Sequence, residues 1–536
     1  MRKYLCAATA LLLAALVAGC GTSRSSNSSS SGGQGSSKSY AELRWGFTTF
    51  SGPLDWSRDV GVTQAAIEQL AVQNLMEFET DGKIKPGLAS SVEQPTPTTY
   101  VYHLRSDVRF SDGKPLTSAD VVYSLDRNMI GKEVWLKPYW EDVASVSARG
   151  NSTVVVKLKQ PSTIWPEILT FSSQIIEKAQ AERLGEKALG TPNDLLIGTG
   201  PWKFDNYKPE ASAELSRNPY WKGAPQPAAK ITVSLFKSEA ALALAIRSGA
   251  VDGTFSYVTP RVFANIPGTK ELTAPGVFVT FVSANTTTPP FNDVHVRRAL
   301  AYATDVKGII HALFPPGTAT EDQTVVPPVL FSDLGSTQQV KATLAALPKY
   351  TFSLAAARRE LARSAYPHGF NTTIEVEQVA TAEVSAAQIL AADLAKIGIT
   401  AKVHELSPDE APTLFTGKTK LLIGEQGTVY NDPEGVMANF LLPGQVHPPG
   451  SGTNTANYRN VEFDKLLHDE STEILSPTKR LQMIGKLLGI LGREAPYWPI
   501  YTHKYQGVIS EKYVFPNYSA LTSYFTPWAL GVKLAH

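Results

Sequence analysis

The chain has 536 residues, of which 43% are hydrophobic and 18% charged, so it can form more than one domain and bury a large core. Lys and Arg number 50 against 49 Asp and Glu, and this near balance excludes a strong electrostatic field for nucleic acid. Cys6 and Cys20 are the only cysteines, which excludes a disulfide framework and cysteine-ligated zinc or iron–sulfur sites.

The N-terminal residues form a predicted targeting segment. Two basic residues precede an apolar stretch over residues 4–16, which is too short to span a membrane. The sequence Val17-Ala18-Gly19-Cys20 then resembles the lipobox of bacterial lipoproteins, in which the cysteine receives a diacylglycerol and becomes the new N-terminus. An ordinary secretory signal with an incidental cysteine is the alternative. The resemblance predicts a signal peptide over 1–19 and a lipid anchor on Cys20 at the extracytoplasmic face of the cell membrane.

Residues 20–39 are predicted to be a flexible tether. Of the 19 residues after Cys20, 14 are Gly or Ser, and such a segment has no apolar side chains with which to offset its ordering entropy. Its root-mean-square reach is about 25 Å. The folded body is therefore expected to begin near Tyr40, close to a membrane surface.

The folded body alternates predicted strands and helices. Apolar alternation and short apolar runs predict strands at residues 41–47, 100–104, 153–158, 231–236, 277–282 and 400–404. Helical spacing predicts helices at residues 64–78, 239–248 and 386–397, and one that opens near residue 296. Asp112-Gly113 predicts a tight turn, and Thr117 with Asp120 three residues later predicts a helix N-cap. The mixture favours sheets covered by helices.

Four blocks in this order resemble the family 5 solute-binding proteins of ABC importers, a family that includes oligopeptide-, dipeptide- and nickel-binding proteins. The blocks are residues 100–121 with FSDGKPLTSADV, residues 198–221 with GTGPW and RNPYW, residues 248–252 with SGAVD, and residues 285–300 with PFNDVHVRRAL. We expect most of these residues to build the fold. The paired Arg297 and Arg298 are expected on a solvated helix face or beside an acid.

The resemblance implies an α/β fold of the two-lobed, type II periplasmic-binding-protein kind, with an extra subdomain in lobe one. Lobe one would comprise residues 40–280 plus 504–536, and lobe two residues 284–500, with crossovers near 281–285 and 497–503. It further implies a monomer that closes over a small-molecule or peptide-like solute and delivers it to the permease subunits of an ABC importer. Such a protein is not an enzyme and has no cofactor.

The segment from Gln426 to Pro433 departs from the family pattern. Peptide-binding members carry an Asp four residues before the proline, where it pairs with the α-amino group of the peptide, and Val429 stands there in this chain. A buried ammonium without a carboxylate is costly, so Val429 argues against that mode of capture. Asp432 or Glu425 could compensate from a shifted backbone. Dipeptide-binding members carry a Trp where Gln426 stands, and an amide there favours recognition of hydroxyl or amide groups.

The predicted ligand contacts come from three segments of the chain. They are the loop after the first strand with Thr48, Thr49, Phe50 and Ser51, the departing segment with Gln426, Thr428, Val429, Tyr430, Asn431 and Asp432, and the second crossover with Trp498 and Tyr501. For each aromatic residue, core packing is the alternative. The nine histidines have no pair at helical spacing, so no metal site is predicted.

Two other classes of protein remain as alternatives. Ser234-Leu235-Phe236-Lys237 has the S-x-x-K spacing of serine acyl enzymes, but it falls in a predicted strand, whereas that chemistry requires a helix start. A surface receptor or chaperone-like binder without transport would share the anchor and the fold.

Overall fold

The computed structural model describes residues 38–48, 52–58, 61–79, 82–131, 136–256, 260–378, 380–407, 410–428, 430–441, 454–473 and 475–535. The strands of these residues are β1 (Tyr40–Thr48), β2 (Met76–Phe78), β3 (Ile84–Pro86), β4 (Ala89–Thr96), β5 (Thr99–Leu104), β6 (Val143–Ala148), β7 (Thr153–Leu158), β8 (Trp202–Lys208), β9 (Ser212–Arg217), β10 (Ala228–Phe236), β11 (Gly253–Ser256), β12 (Thr269–Ala274), β13 (Phe278–Ala284), β14 (Ala319–Glu321), β15 (Asn371–Glu377), β16 (Thr400–Leu406), β17 (Leu421–Gly427), β18 (Tyr497–His503), β19 (Tyr505–Ser510), β20 (Tyr513–Val514) and β21 (Lys533–Leu534).

The α-helices of the same residues are α1 (Val62–Glu68), α2 (Ser118–Ile130), α3 (Trp165–Ser172), α4 (Lys178–Leu184), α5 (Glu239–Arg247), α6 (Pro260–Phe263), α7 (Val294–Ala303), α8 (Val306–Leu313), α9 (Thr337–Ala345), α10 (Leu354–Leu361), α11 (Thr381–Ala395), α12 (Pro433–Leu441), α13 (Val461–Thr472), α14 (Pro477–Glu494) and α15 (Ala520–Phe525). Short 3-10 turns occupy Lys137–Trp140, Pro328–Phe331, Ala411–Thr416 and Trp528–Gly531.

Three sheets organise these elements. The first sheet has seven strands in the order β12-β19-β11-β1-β10-β9-β8, and β1 lies parallel to both β10 and β11 at its centre. The second sheet has six strands in the order β14-β18-β13-β17-β15-β16. A four-stranded small sheet, β4-β5-β7-β6, is inserted in the chain between β1 and β8. The expected mixture of sheets and covering helices is therefore present.

The chain passes between the first and second sheets at two neighbouring connections. The outward connection joins β12 to β13 through Pro275, Gly276 and Val277, and the return joins β18 to β19 through Lys504. A Cβ on Gly276 would lie 2.0 Å from the carbonyl oxygen of His503, so a side chain there would push the two connections apart. The backbone N–H of Lys504 donates to the carbonyl of Thr318 at 2.8 Å. The division into lobes at the boundaries given above stays a prediction.

Large aromatic side chains fill the core beside the first sheet. Trp45 is fully buried and packs against Phe255 and Trp528, with ring centroids 5.5 and 4.9 Å away. The second sheet has a separate core in which β13, β17 and β18 pack against α7, α8 and α11. Burying an aromatic or aliphatic side chain of this size contributes about 1.5–3 kcal/mol, so both cores stabilise the folded state substantially.

The motif residues build the fold, as expected. Asp252 accepts hydrogen bonds from the backbone N–H of Arg44 at 2.9 Å and from its Nη2 at 2.6 Å, which fixes β11 beside β1. Asn218 donates to the carbonyl of Gly200 at 2.8 Å, and Asn285 donates to the carbonyl of Thr419 at 3.0 Å. A Cβ on Gly200 would meet the backbone of Ala71 at 2.5 Å, so the close approach of these two segments requires glycine.

Local sequence signals agree with the structure at several points. Thr117 and Asp120 form a capping box at the start of α2, and Gly113 has the positive φ of a tight turn. The helix predicted over 64–78 is too long, because α1 ends at Glu68. Residues 76–78, the end of the predicted helix, form β2 and pair with β3. The cause is tertiary, because the backbone N–H of Leu75 donates to Ser173 Oγ beyond the end of α3.

Of the two arginines, expected on a solvated helix face or beside an acid, Arg298 is partly exposed and Arg297 is not. Arg297 is buried and donates to the carbonyls of Glu494 at 2.9 Å and Phe291 at 2.8 Å. Arg298 donates to the carbonyl of Arg493 at 2.8 Å. Both guanidinium groups therefore bind α7 to the C-terminal end of α14 through backbone oxygens.

Candidate functional site

The predicted ligand segments follow the carboxyl ends of central strands. β1 ends at Thr48 in the first sheet, and β17 ends at Gly427 in the second sheet. In open α/β sheets, ligands bind outside the carboxyl ends of the strands, where loops rather than ladder hydrogen bonds shape the surface. Thr48 is partly exposed. Thr49, Phe50, Ser51 and Val429 lie outside the described residues.

The segment after β17 is held by hydrogen bonds between Thr428 and Tyr430. Gln426 is partly exposed and pairs with Val279 of β13. Thr428 is buried, and its Oγ1 accepts from the backbone N–H of Tyr430 at 3.1 Å and donates to the Tyr430 carbonyl at 2.8 Å. These two bonds fix the backbone on both sides of residue 429.

Tyr430 joins the segment to α3. Its ring stacks on Phe171 of α3, with the centroids 5.8 Å apart and an interplanar angle of 12°. Its hydroxyl donates to Glu434 Oε2 at 2.6 Å. Glu434 is itself buried, and burial raises the pKa of its carboxyl to about 8 despite the hydrogen bond from Tyr430. Tyr430 is thus fully enclosed by protein.

Asp432 is held by a buried ionic network. Arg480, at the start of α14, donates from Nη1 and Nη2 to the two carboxylate oxygens of Asp432 at 2.8 and 3.0 Å. The same guanidinium donates from Nε to Glu470 of α13 at 2.7 Å. Burial raises the pKa of Glu470 to about 7, with the guanidinium opposing that rise. Such forked Arg–carboxylate bonds fix orientation as well as charge.

A second polar cluster lies on the helix-covered face of the second sheet. His503 Nε2 lies 3.0 Å from Glu425 Oε1, and Thr280 Oγ1 donates to Glu383 Oε1 at 3.3 Å. Burial alone would lower the pKa of His503, but the Glu425 carboxylate raises it to about 9. Burial, followed by repulsion from Glu425, raises the pKa of Glu383 to about 7. The charged groups of this cluster therefore come from β17, β18 and the start of α11, and β13 contributes the hydroxyl of Thr280.

The two aromatic residues of the second crossover lie in the core of the second sheet. Trp498 is buried and donates from Nε1 to Thr304 Oγ1 at 3.0 Å. Tyr501 is fully buried, with its ring edge-on to Phe314 at a centroid distance of 4.7 Å. Core packing was the alternative interpretation for both residues, and their contact with ligand stays a prediction.

A cavity of about 320 Å³ opens beside Asn431 and Asp432. One wall comes from the small sheet and α3, with Gln94, Tyr100, Ser162, Thr163, Pro166 and Glu167. The other wall adds Leu330, Asp333, Leu334, Leu475, Pro477 and Arg480. The cavity volume is at the lower end of the range of small-molecule pockets. The structure thus brings two of the predicted site residues to a cavity, beside groups that the sequence did not single out.

Sequence reasoning missed Glu167, Asp333 and Arg480. Glu167 is 265 positions from Asp432 and Arg480 is 48 positions from it, so no spacing rule connects them. Among the described residues, no group of three or more potential ligands is arranged to hold a metal ion. Nor does any helix in the described ranges have the length and apolar character needed to cross a bilayer.

The sequence matches the family described as bacterial extracellular solute-binding proteins, family 5, over residues 83–447. Heme-binding protein A of Haemophilus influenzae is 27% identical, covering 92% of each chain. Glutathione-binding protein GsiB of Escherichia coli K12 is 24% identical, covering 82% of this chain and 84% of that one. The structure of DppA from Helicobacter pylori with the peptide STSA superimposes with a TM-score of 0.77 at 21% identity, covering 92% of this chain and 98% of that one. The last match confirms the predicted two-lobed α/β fold.

Proposed function

Because the chain belongs to the bacterial extracellular solute-binding proteins of family 5, a family of binding proteins and not of enzymes, we propose that it is the lipid-anchored binding component of an ABC importer. Cys20 would carry the lipid, and residues 20–39 would let the folded body reach both solute and permease. The solute would be a peptide-like or other small polar molecule. The S-x-x-K string fits no acyl enzyme, since Ser234 lies inside β10.

The observation that supports capture between two halves is the set of contacts made by the segment after β17. Tyr430 stacks on Phe171, and the backbone N–H of Asn431 lies near enough to the Glu167 carboxyl to oppose the rise in its pKa. The carbonyl of Ser471 in α13 also accepts from the backbone N–H of Thr163 at 2.9 Å. These contacts join elements next to the second sheet to α3 and its preceding loop, and they surround the cavity. A solute held there would stabilise the same closed arrangement.

The named relatives differ in the solutes that they bind. Their names specify heme and glutathione, and the matched DppA structure holds a peptide, so the ligand differs within the group. Val429 favours a solute that is not held by its α-amino group. The partly exposed Gln426 amide supports recognition of hydroxyl or amide groups instead.

The test begins with the solute that the protein retains. Native mass spectrometry of the full chain, extracted gently in detergent, should show a bound mass that is released on denaturation and can be identified. Uptake of that compound, isotopically labelled, is then compared in the parent strain and in a strain that lacks the protein. We expect uptake to be lost in the deletion strain and restored by the wild-type gene. Unchanged uptake would contradict the proposal.

A further inference from the structure

The charged groups that line the cavity beside Asn431 and Asp432 are unbalanced. Among the described residues, its lining contains three carboxyls, those of Glu167, Asp333 and Asp432, and one guanidinium, that of Arg480. Arg480 already donates two hydrogen bonds to Asp432 and another to Glu470, which is fully buried behind the wall. The charge of Arg480 is therefore compensated by carboxylates of the protein itself. The formal charge of the lining is +1 − 3 = −2 when all four groups are ionised.

Glu167 is the carboxyl whose bonding is incomplete. The backbone N–H of Asn431 opposes the rise in its pKa, but Oε2 is shielded from solvent and has no hydrogen-bond partner anywhere in the described part of the chain. Burial is the main reason that its pKa is raised to about 8, and the nearby Asp432 and Asp333 add to the rise. A buried acceptor left without a donor costs free energy that an incoming donor can recover.

We propose that this cavity is a cation subsite, in which Glu167 and Asp333 hold a guanidinium or ammonium group carried on an arm of the solute. The proposal rests on the proposed function, because it assigns part of the solute to a place in the binding protein. The group would donate to the Glu167 carboxyl from one wall and to Asp333 from the other. Charge-assisted hydrogen bonds of this kind are roughly twice as strong as neutral ones.

The shape and chemistry of the site favour an organic cation. A volume of about 320 Å³ admits a side-chain-sized group but not a large ring system. The neutral neighbours Gln94 and Thr163 supply further hydrogen-bonding groups on the same wall as Glu167. No group of three or more metal-ligating side chains is assembled in the described ranges, so a bare metal ion would be poorly held.

The site also explains how the chain could bind a charged solute with valine at position 429. Asn431 and Asp432, two and three residues after Val429, border the cavity. Negative charge is thus available three residues along the chain from the position where peptide-binding members carry their Asp. The arm that reaches it would not need to be the α-amino end of a peptide.

The test compares two probes that differ only in charge. N-acetyl-arginine amide carries a guanidinium and no α-amino group, and N-acetyl-citrulline amide is its neutral isostere. Isothermal titration calorimetry of the full chain should show at least about tenfold tighter binding of the arginine probe, as one charged hydrogen bond would give. Binding should release a proton near pH 7, because Glu167 must ionise, and this is measured by repeating the titration in buffers of different ionisation enthalpy.

The variants identify the residues responsible. Glu167→Gln should remove the preference for the arginine probe and the proton release. Asp333→Asn, at an exposed position where folding is not at risk, should reduce the preference, whereas the exposed Glu462→Gln should leave it unchanged. Equal affinity for the two probes, no binding of either one, or an unchanged preference in Glu167→Gln would overturn the cation subsite. If the cation subsite is overturned but the wild-type protein still retains a solute in the mass spectrometer, the proposed transport function stands. If the wild type retains no solute and the deletion strain has no uptake defect, both the subsite and the transport function are overturned.

Discussion

Removing the guanidinium of Arg480 should destabilise the protein strongly and in a pH-dependent way. In Arg480→Gln, Asp432 loses both of its charged hydrogen bonds, and Glu470 loses its only counter-charge among the described residues. Asp432 is 7% exposed and Glu470 is 0% exposed, so water cannot replace the lost donors. Breaking a buried ion pair on one side costs about 3–5 kcal/mol, and we expect a loss in that range at pH 8.

The loss should be smaller at pH 5. The pKa of Glu470 is raised to about 7, chiefly by burial, so at pH 8 the wild-type carboxylate is ionised against Arg480 and at pH 5 it is protonated. Without the guanidinium, which opposes the rise, that pKa moves higher still. At pH 5 Glu470 is protonated in both proteins, so its charge pairing with Arg480 adds nothing to the loss, whereas at pH 8 the variant loses that pairing as well as the bonds to Asp432. Stability lost at high pH is regained as pH falls through the pKa of Glu470.

Thermal and urea unfolding followed by circular dichroism at pH 5 and pH 8 would measure both effects. For a body of this size, a few kcal/mol corresponds to a fall of about 3–5 °C in the unfolding temperature, from the usual entropy of unfolding per residue. Arg359→Gln, at an exposed position near the end of α10, is the matched control and should change stability by less than about 0.5 kcal/mol. A loss at position 480 below about 1 kcal/mol, or one of equal size at both pH values, would refute the reasoning.

Three further predictions concern single groups. Burial raises the pKa of Glu434 to about 8, so the folded state holds this proton more tightly than the unfolded chain and wild-type stability should fall as the pH rises from 5 to 8. Glu434→Gln should reduce that slope by about 1.4 kcal/mol per pH unit, whereas Glu462→Gln should leave the slope unchanged. Trialanine with a free α-amino group should bind weakly to the wild type by calorimetry, and Val429→Asp should tighten binding at least about tenfold, whereas tight wild-type binding would show that residue 429 does not decide peptide capture. Cys20→Ser should shift the protein from membranes to the soluble fraction after ultracentrifugation, and an unchanged partition would argue against lipidation.

Local signals in the sequence predicted much of the fold. The capping box of Thr117 and Asp120 and the turn at Gly113 require only neighbouring residues, so their patterns are readable without tertiary information. The helix predicted over 64–78 was wrong beyond Glu68, because β2 forms by pairing with β3 and by bonding to residues after α3. In a stretch such as 69–78, the spacing of apolar residues predicts which side chains are buried, but it does not predict which segment supplies hydrogen bonds to the backbone.

The site was less accessible to sequence reasoning than the fold. Position 429 could be located because the family pattern places it four residues before a proline, and its described neighbours Thr428 and Tyr430 are hydrogen-bonded to each other. Glu167, Glu470 and Arg480 come from three separate helices, and their roles depend on burial and on which carboxyl the guanidinium reaches. Isolated charged residues in helices usually face solvent, so nothing in their local sequence distinguishes these three.

The two connections between the first and second sheets limit the conformational entropy that the chain can lose when the two halves close over a solute. Only Pro275, Gly276, Val277 and Lys504 lie between the strands that they join, and the ring of Pro275 already fixes one backbone torsion. Ordering a residue's backbone costs about 1–2 kcal/mol, and so few linking residues leave little conformational entropy to lose when the halves come together. Ordering these linking residues would therefore subtract almost nothing from the binding free energy of a solute. The contacts around the solute and those between Tyr430 and Phe171 would set the equilibrium between open and closed forms.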